Sequence, residues 1–403
     1  MIQELHIKSP ELRTNPYPIY ARLRSDSPVA ILHRPLMGKA FILSRYEDVN
    51  RAFTDPRLAN NRRNATNAPD PMDRWFVPAL FKAFGNNLLA TDAPDHRRLR
   101  DLVHKAFTPR RVEDLKGLVE RIVTDLLDAA LKKPSVNLIA DFALPLPLTV
   151  ISVMMGVPEE ERLDFHHWTA SLLEGVTSAT GMFSQFPNAF RMERFFRKLI
   201  RLRREQPGDD LLTALVQAEE KGDRMSENEL ISMIFLLLLA GHETTVNLIG
   251  NGTLALLQHP EQFQRLHREP DLIGSAVEEL LRFTNPVVQP SDRYAREDIT
   301  LHGTVIPKGS VVLPLVASAN RDEQAFSGAD QLDLGRTPNR HLAFGMGVHY
   351  CLGAPLARLE GKIALQALVQ RFPRMKLALP EQRLEWRGTV GLRGLKQLPV
   401  QLS

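Results

Sequence analysis

The sequence carries one cysteine in 403 residues. An intrachain disulfide is therefore impossible, and so is a zinc or iron–sulfur centre built from several thiolates. A reducing compartment fits that count. Long apolar runs are also lacking. The longest, Met233–Ala240, falls far short of the ~20 residues that a membrane-spanning helix needs. The first twenty residues hold no apolar core of signal-peptide type, so the expectation is a soluble, cytoplasmic protein with no membrane anchor. No dense Lys/Arg tract with interleaved aromatics occurs, and the formal net charge is only +4. Nucleic-acid binding is therefore not expected, although a basic patch for an acidic protein partner stays open. With no internal repeat and no low-complexity linker, residues 1–403 read as a single domain.

The 43% hydrophobic and 24% charged content is that of an ordinary globular chain. Helical periodicity dominates, with amphipathic stretches at Val112–Lys132 and Met192–Arg204 and a third from Glu227 to about Gln258. The third opens on Ser226 and Glu229, a Ser-x-x-Glu capping box. It is long against a mean helix of about 11–12 residues, and mostly apolar all round, so it should thread the interior. Val29–Leu32 with Ala40–Leu43 predicts a small hairpin. Ile299–Ile306 with Ser310–Leu315, around the turn Pro307-Lys308-Gly309, predicts another. Short strands are expected after Pro373. The fold class is mainly α with small β-sheets.

The chemistry concentrates around Cys351. A loop rich in glycine (Gly345, Gly347, Gly353) leads the only cysteine straight into an amphipathic helix, Ala357–Phe372. Glycines there allow positive φ and close backbone approach. Unpaired N–H groups and the dipole at a helix N-terminus favour an anion such as a thiolate. A thiolate with no second sulfur nearby suits one axial bond to haem iron, but a lone cysteine is more often a buried structural residue. A dinucleotide loop is rejected, because Tyr350 stands where G-x-G-x-x-G needs its third glycine and no strand clearly precedes it.

A second candidate lies inside the long helix, at Leu239-Ala-Gly-His-Glu-Thr-Thr245. Gly241 costs a helix interior roughly 1 kcal/mol against Ala. With Ala240 it would let a flat cofactor lie against the helix. Glu243 and Thr244 in an apolar run need partners or water. Thr244 bonding back to a carbonyl one turn earlier, and merely bending the helix, is the equal alternative.

Phe344-Gly-Met-Gly-Val-His-Tyr-Cys-Leu-Gly353 matches the haem-binding signature F-x-x-G-x-H/R-x-C-x-G at every fixed position, and the chain thereby resembles the cytochrome P-450 family of the soluble bacterial type. The likeness runs from Asn15-Pro-Tyr-Pro to Leu398-Pro-Val. It implies a triangular helical prism with a long central helix. It further implies a noncovalent haem b with Cys351 as proximal ligand, Phe344 and the loop glycines Gly345 and Gly353 beside it, and His349 on a propionate. No Cys-x-x-Cys-His occurs for covalent attachment.

The stretch from Ala240 to Thr245 resembles the family's oxygen-binding motif. By that likeness Thr244 and Glu243 form the acid–alcohol pair, the hydroxyl steadying bound oxygen and the carboxylate supporting proton relay. His96 and Arg100 on one helical face, and Arg293, match further propionate contacts, for which Arg–carboxylate pairing is apt. A solvated basic face is the commoner fate of a run such as Asp95–Arg100. Glu279-Leu-Leu-Arg282 alone could be an exposed pair worth ~0.2–0.5 kcal/mol. The resemblance makes it, with Arg336, a structural triad holding the cysteine loop. Ala319–Asp322 is a further family-like structural stretch.

The function implied is monooxygenation. One oxygen atom from dioxygen enters a hydrophobic organic substrate, by hydroxylation or epoxidation, and the other leaves as water. The electrons would come from a ferredoxin or flavodoxin with its reductase, and the protein would be a monomer. Arg97, Arg98, Lys105, Arg110 and Arg111 either dock such an acidic donor or form a solvated surface. Recognition segments by resemblance are Phe76–Leu89, Phe165–Phe190, Leu236–Thr245, Val287–Ser291 and Leu392–Leu395. Leu88, Leu89, Leu236, Leu239, Val287 and Val288 predict an apolar pocket, although leucines at helical spacing also fit plain core. Fatty acids, terpenoids, steroids and polyketides all remain open. A peroxide-driven or isomerising haem-thiolate protein and a haem sensor or recruitment module are the rival readings. The Glu243-Thr244 pair counts against each.

Overall fold

The computed structural model describes residues 3–6, 9–34, 38–67, 87–165, 167–169, 186–220, 223–388 and 391–402. By its internal contacts the chain forms two compact units, each assembled from separated stretches. The first comprises Met1–Asn67, Glu120–Leu144 and Thr244–Ser403, the second Ala68–Val119 and Pro145–Glu243.

The first unit contains a six-stranded sheet in the order Glu4–His6, Val29–Arg34, Gly38–Leu43, Val311–Pro314, Arg293–Ala295, Leu58–Ala59. Side chains alternate across a strand, and the sheet uses that period to fill two cores. Leu43, Ala295 and Val312 go to one, with Phe53 and Leu342. Ala30, Leu32, Ala40, Ile42 and Leu313 go to the other, with Ile19, Tyr20 and Leu23.

The first expected hairpin forms as Val29–Arg34 against Gly38–Leu43. The second does not form as expected. Ile299–Leu301 turns back on Thr304–Ile306 through His302 and Gly303, at φ +49° and +74°. Two successive positive φ angles make the primed turn that matches strand twist, and His-Gly tolerates them. Val311–Pro314 is thereby released to pair in parallel with Gly38–Leu43 and antiparallel with Arg293–Ala295.

The second unit is built on helices, among them Asp95–Ala106, Pro145–Met154, Phe186–Glu205 and Leu211–Gln217. Phe165, Phe195, Phe196 and Phe235 pack ring against ring in its interior. The stretch expected as one helix over Val112–Lys132 breaks at Leu115 into Pro109–Asp114 and Lys116–Leu131. Thr108 caps the first piece, accepting from the Arg111 N–H at 3.3 Å. Met192–Arg204 lies inside the longer helix Phe186–Glu205.

The long helix spans Glu227–Gln258. Its capping box is reciprocal: Ser226 N–H donates to Glu229 Oε2 at 2.7 Å, and Glu229 N–H donates to Ser226 Oγ at 3.3 Å. By length and composition it could cross a bilayer, yet 61% of its most apolar window is buried in the protein. That is how a core helix of such composition is accommodated.

Candidate functional site

In the first unit, the loop before the helix Ala354–Arg371 is shaped by its own backbone. The Gly345 N–H donates to the Leu342 carbonyl at 2.9 Å, Tyr350 N–H to Gly347 at 3.1 Å, and Cys351 N–H to Phe344 at 2.9 Å. Gly345 and Gly347 have φ of +67° and +69°. A Cβ at Gly347 would also strike Thr54 Cγ2 at 2.9 Å, so only glycine fits there. Gly353 departs from the expectation of positive φ. It caps the helix at φ −80°, and a Cβ there would lie 4.0 Å from Cys351 Sγ. The helix begins at Ala354 rather than Ala357. Cys351 is thus half-buried, free of any disulfide and three residues ahead of the first helical turn.

Two charge networks hold this loop. Glu279 and Arg282, both 0% exposed, join through two 2.7 Å hydrogen bonds. Arg336 Nε donates to both oxygens of Glu279 at 3.1 Å, and Asn339 Nδ2 and Asp333 N–H complete the shell at 3.1 Å each. A buried carboxylate needs that full set of donors. Arg282 spends its remaining donors on the carbonyls of Asn320, Ala329 and Gln331. Asn320 passes the connection on. Its Nδ2 donates to Asn285 Oδ1, and its Oδ1 accepts from the Leu342 N–H at the loop's entrance, both at 2.8 Å.

The second network centres on Glu278. Arg358 donates to it at 2.7 and 2.8 Å, and His341 bonds it at 3.1 Å. Burial pushes the Glu278 carboxyl upward, but the Arg358 and His341 hydrogen bonds outweigh it and bring its pKa to about 2. The Arg358 guanidinium also lies 4.5 Å from the centre of the Phe344 ring and donates to Tyr350 Oη at 3.1 Å. Both partners flank the cysteine.

Sequence reading gave no role to Asn285, Arg358 or Glu360, and reached Asn320 only as part of the family-like stretch Ala319–Asp322. Glu360 is 1% exposed on the helix that follows Cys351. Burial lifts its pKa to about 8, partly offset by a hydrogen bond with Thr245 on the long helix. The available signal was position: Leu356, Glu360 and Ala364 are four apart, a buried face with a carboxyl in its middle.

The other expected residues fall as follows. In the first unit, Arg293 is 2% exposed and lies 5.8 Å over the Phe53 ring. His349 and Phe344 are half-buried, and so is Thr244. Val288, 2% exposed, packs with Ile19, Tyr20 and Leu23, while half-buried Val287 bridges Leu392; neighbours in extended chain point opposite ways.

In the second unit, His96 is buried and Arg100 half-buried on one face of Asp95–Ala106, where Arg100 Nε donates to His104 at 3.2 Å. Leu88 is buried and Leu89 exposed. Leu236, Leu239, Gly241 and Glu243 are half-buried and Ala240 exposed, and a Cβ at Gly241 would meet no atom within 4 Å. Arg98, expected as part of a docking surface, instead pairs with Glu229 and Asp223. Residues 76–86, 166 and 170–185 of the expected recognition segments lie outside the described residues.

Among the described residues, no group of three or more His, Cys, Asp or Glu could hold a bare metal ion. The donor offered at the head of Ala354–Arg371 is a single sulfur, and buried Arg293 and half-buried His349 belong to the same unit. That set fits a cofactor ligated by one thiolate and bearing carboxylates, such as haem.

A mainly helical fold presenting one cysteine from a glycine-shaped loop defines the haem-thiolate class. The comparisons name the family. The cytochrome P450 family model matches residues 33–387. The polyketide biosynthesis cytochrome P450 PksS of Bacillus subtilis is 43% identical over 401 residues, covering 99% of this chain and 98% of PksS. Its solved structure superposes with a TM-score of 0.93 at 42% identity, over 99% and 100% of the two chains. P450BioI, solved in complex with an acyl carrier protein bearing hexadec-9Z-enoic acid, gives a TM-score of 0.88 at 38% identity, over 96% and 98%. The chain belongs to the cytochrome P450 family, and its fold is the P450 fold. It is an oxidoreductase of the monooxygenase type and a haem protein.

Proposed function

We propose that this protein inserts one oxygen atom of dioxygen into an apolar acyl or polyketide chain, using electrons from a separate ferredoxin or flavodoxin and its reductase. The reading rests on the Cys351 loop, where the backbone and two charge networks fix a single sulfur ahead of a helix. The substrate class is supported by PksS, a polyketide biosynthesis P450, and by P450BioI, solved with a fatty-acyl carrier protein, both of which match along almost their full lengths. A single family match over residues 33–387 supports one catalytic domain. We further propose a monomer working in the cytoplasm.

Haem, held noncovalently as haem b, would supply the activation of dioxygen. Cys351 would be its axial ligand. Arg293, His349, His96 and Arg100 would hold its propionates, each a cation or N–H donor suited to a carboxylate. Gly345 and Gly353, with Phe344, would leave the sulfur room and shield it from water. Ala240 and Gly241 would offer the long helix's flat side. The Thr244 hydroxyl would donate a hydrogen bond to bound oxygen, and Glu243 would hold the proton that must follow. Leu88, Leu89, Leu236, Leu239, Val287 and Val288 would line the apolar pocket.

The test is isotopic. Turnover of a fatty acid or macrolactone under ¹⁸O₂ with a reductase system should give product carrying one labelled oxygen, with consumption of reductant. Unlabelled product, or turnover with no reductant, contradicts the proposal.

A further inference from the structure

The helix Phe186–Glu205 carries seven Arg or Lys against two Glu. Four of the seven cations are neutralised within the second unit. Arg197 pairs with Glu193 and Glu227, Lys198 with Glu161, Arg203 with Asp210, and Arg204 with Glu227. The other three, Arg191, Arg194 and Arg201, are exposed and make no ion pair among the described residues. With Lys198, still 62% exposed, they recur at spacings of three, four and three. That spacing sets all four on one face of the helix, over roughly 15 Å. Phe190, 58% exposed, stands at the head of the same stripe. The opposite face is core: Met192, Phe195, Phe196, Leu199 and Ile200 are all buried.

Like charges one turn apart repel and weaken a helix. The stripe therefore opposes its own folding, and an acidic surface would relieve that repulsion. Arginine and aromatic residues together are also the pair enriched at protein interfaces. Resting on the acyl-chain reading above, we propose that the Phe190–Arg201 stripe docks an acidic carrier protein that brings the substrate chain as a thioester. The electron donor is the other acidic partner. The carrier is favoured because P450BioI, 38% identical over 96% of this chain, was solved in complex with an acyl carrier protein.

The triple variant Arg191→Glu, Arg194→Glu, Arg201→Glu tests this. A control triple, Lys116→Glu, Lys132→Glu, Arg383→Glu, makes the same change in net charge at exposed sites elsewhere. Haem content and far-UV circular dichroism check folding in both. The probe is an acyl carrier protein charged with hexadec-9Z-enoic acid, titrated calorimetrically at two ionic strengths, beside free hexadec-9Z-enoic acid followed spectrally. The parent and the control should bind the charged carrier alike, with affinity falling as salt rises. The stripe variant should bind it about tenfold more weakly or worse, while free-acid binding and oxidation stay unchanged. Equal carrier affinity in all three proteins overturns the docking surface, as does a parent that binds no carrier. Slower reduction by ferredoxin with carrier binding intact would assign the stripe to the electron donor instead. If the parent neither binds nor oxidises the free acid, the substrate reading itself has failed, a result separate from any of these.

Discussion

At the scale of single residues, burial carries the Glu360 carboxyl far above the ordinary carboxylate range. Its pKa in the fold is about 8, against 4.5 for an ordinary glutamate. Below about 4.5 the carboxyl is protonated whether the chain is folded or not, and its contribution is fully present. As pH rises from there, the unfolded chain releases the proton first, and stability falls until the folded group ionises near 8. Glu360→Gln removes that slope, so the variant should gain on the parent as pH rises across this window. Thermal unfolding as a function of pH checks this, and parallel curves for the two proteins would contradict the assignment. Glu278 has the opposite sign. It contributes above 4.5 and loses that contribution only as pH falls toward 2.

These two carboxylates also mark what a sequence can reveal. Cys351 was legible because its loop is contiguous, with every defining residue within ten positions. Glu360 was not, because a carboxylate on a helix is ordinarily solvated, and only packing shows that this one faces the protein interior. The burial of Val288 beside half-buried Val287 was hidden for a related reason, since which of two adjacent valines faces the core depends on register.

At the scale of elements, the cysteine loop is held from outside by the Glu279–Arg282–Arg336 triad and by Asn320. Arg282→Met leaves Glu279 buried with fewer donors and removes donors from three carbonyls. Breaking one side of a buried pair costs about 3–5 kcal/mol. Urea unfolding of the variant should show a loss of that order, together with weaker haem retention. A loss below about 1 kcal/mol would mean that the triad adds little to stability. The Glu-x-x-Arg pattern was readable, but its burial was not. The same holds for strands. The first hairpin and the ends of the long helix follow local signals, a polar gap and a capping box. The pairing of Val311–Pro314 depends on a partner some 270 positions earlier, and a period of two within four residues cannot specify that.

At the scale of the whole molecule, sequence scarcity and structure converge on one atom. A chain with a single cysteine sets that residue ahead of an 18-residue helix, in a loop closed by its own carbonyls and tied to two charge networks, one of them fully buried. The family match explains why so much structure surrounds one thiol, and thiolate ligation is the central claim. Its most direct measurement is the absorption spectrum of the reduced protein under carbon monoxide, for the parent and for Cys351→His. The account predicts the red-shifted Soret band of a thiolate-ligated ferrous carbonyl in the parent, and a shift to the imidazole-type position in the variant with loss of oxygenation. The same thiolate-type band in both proteins would contradict it.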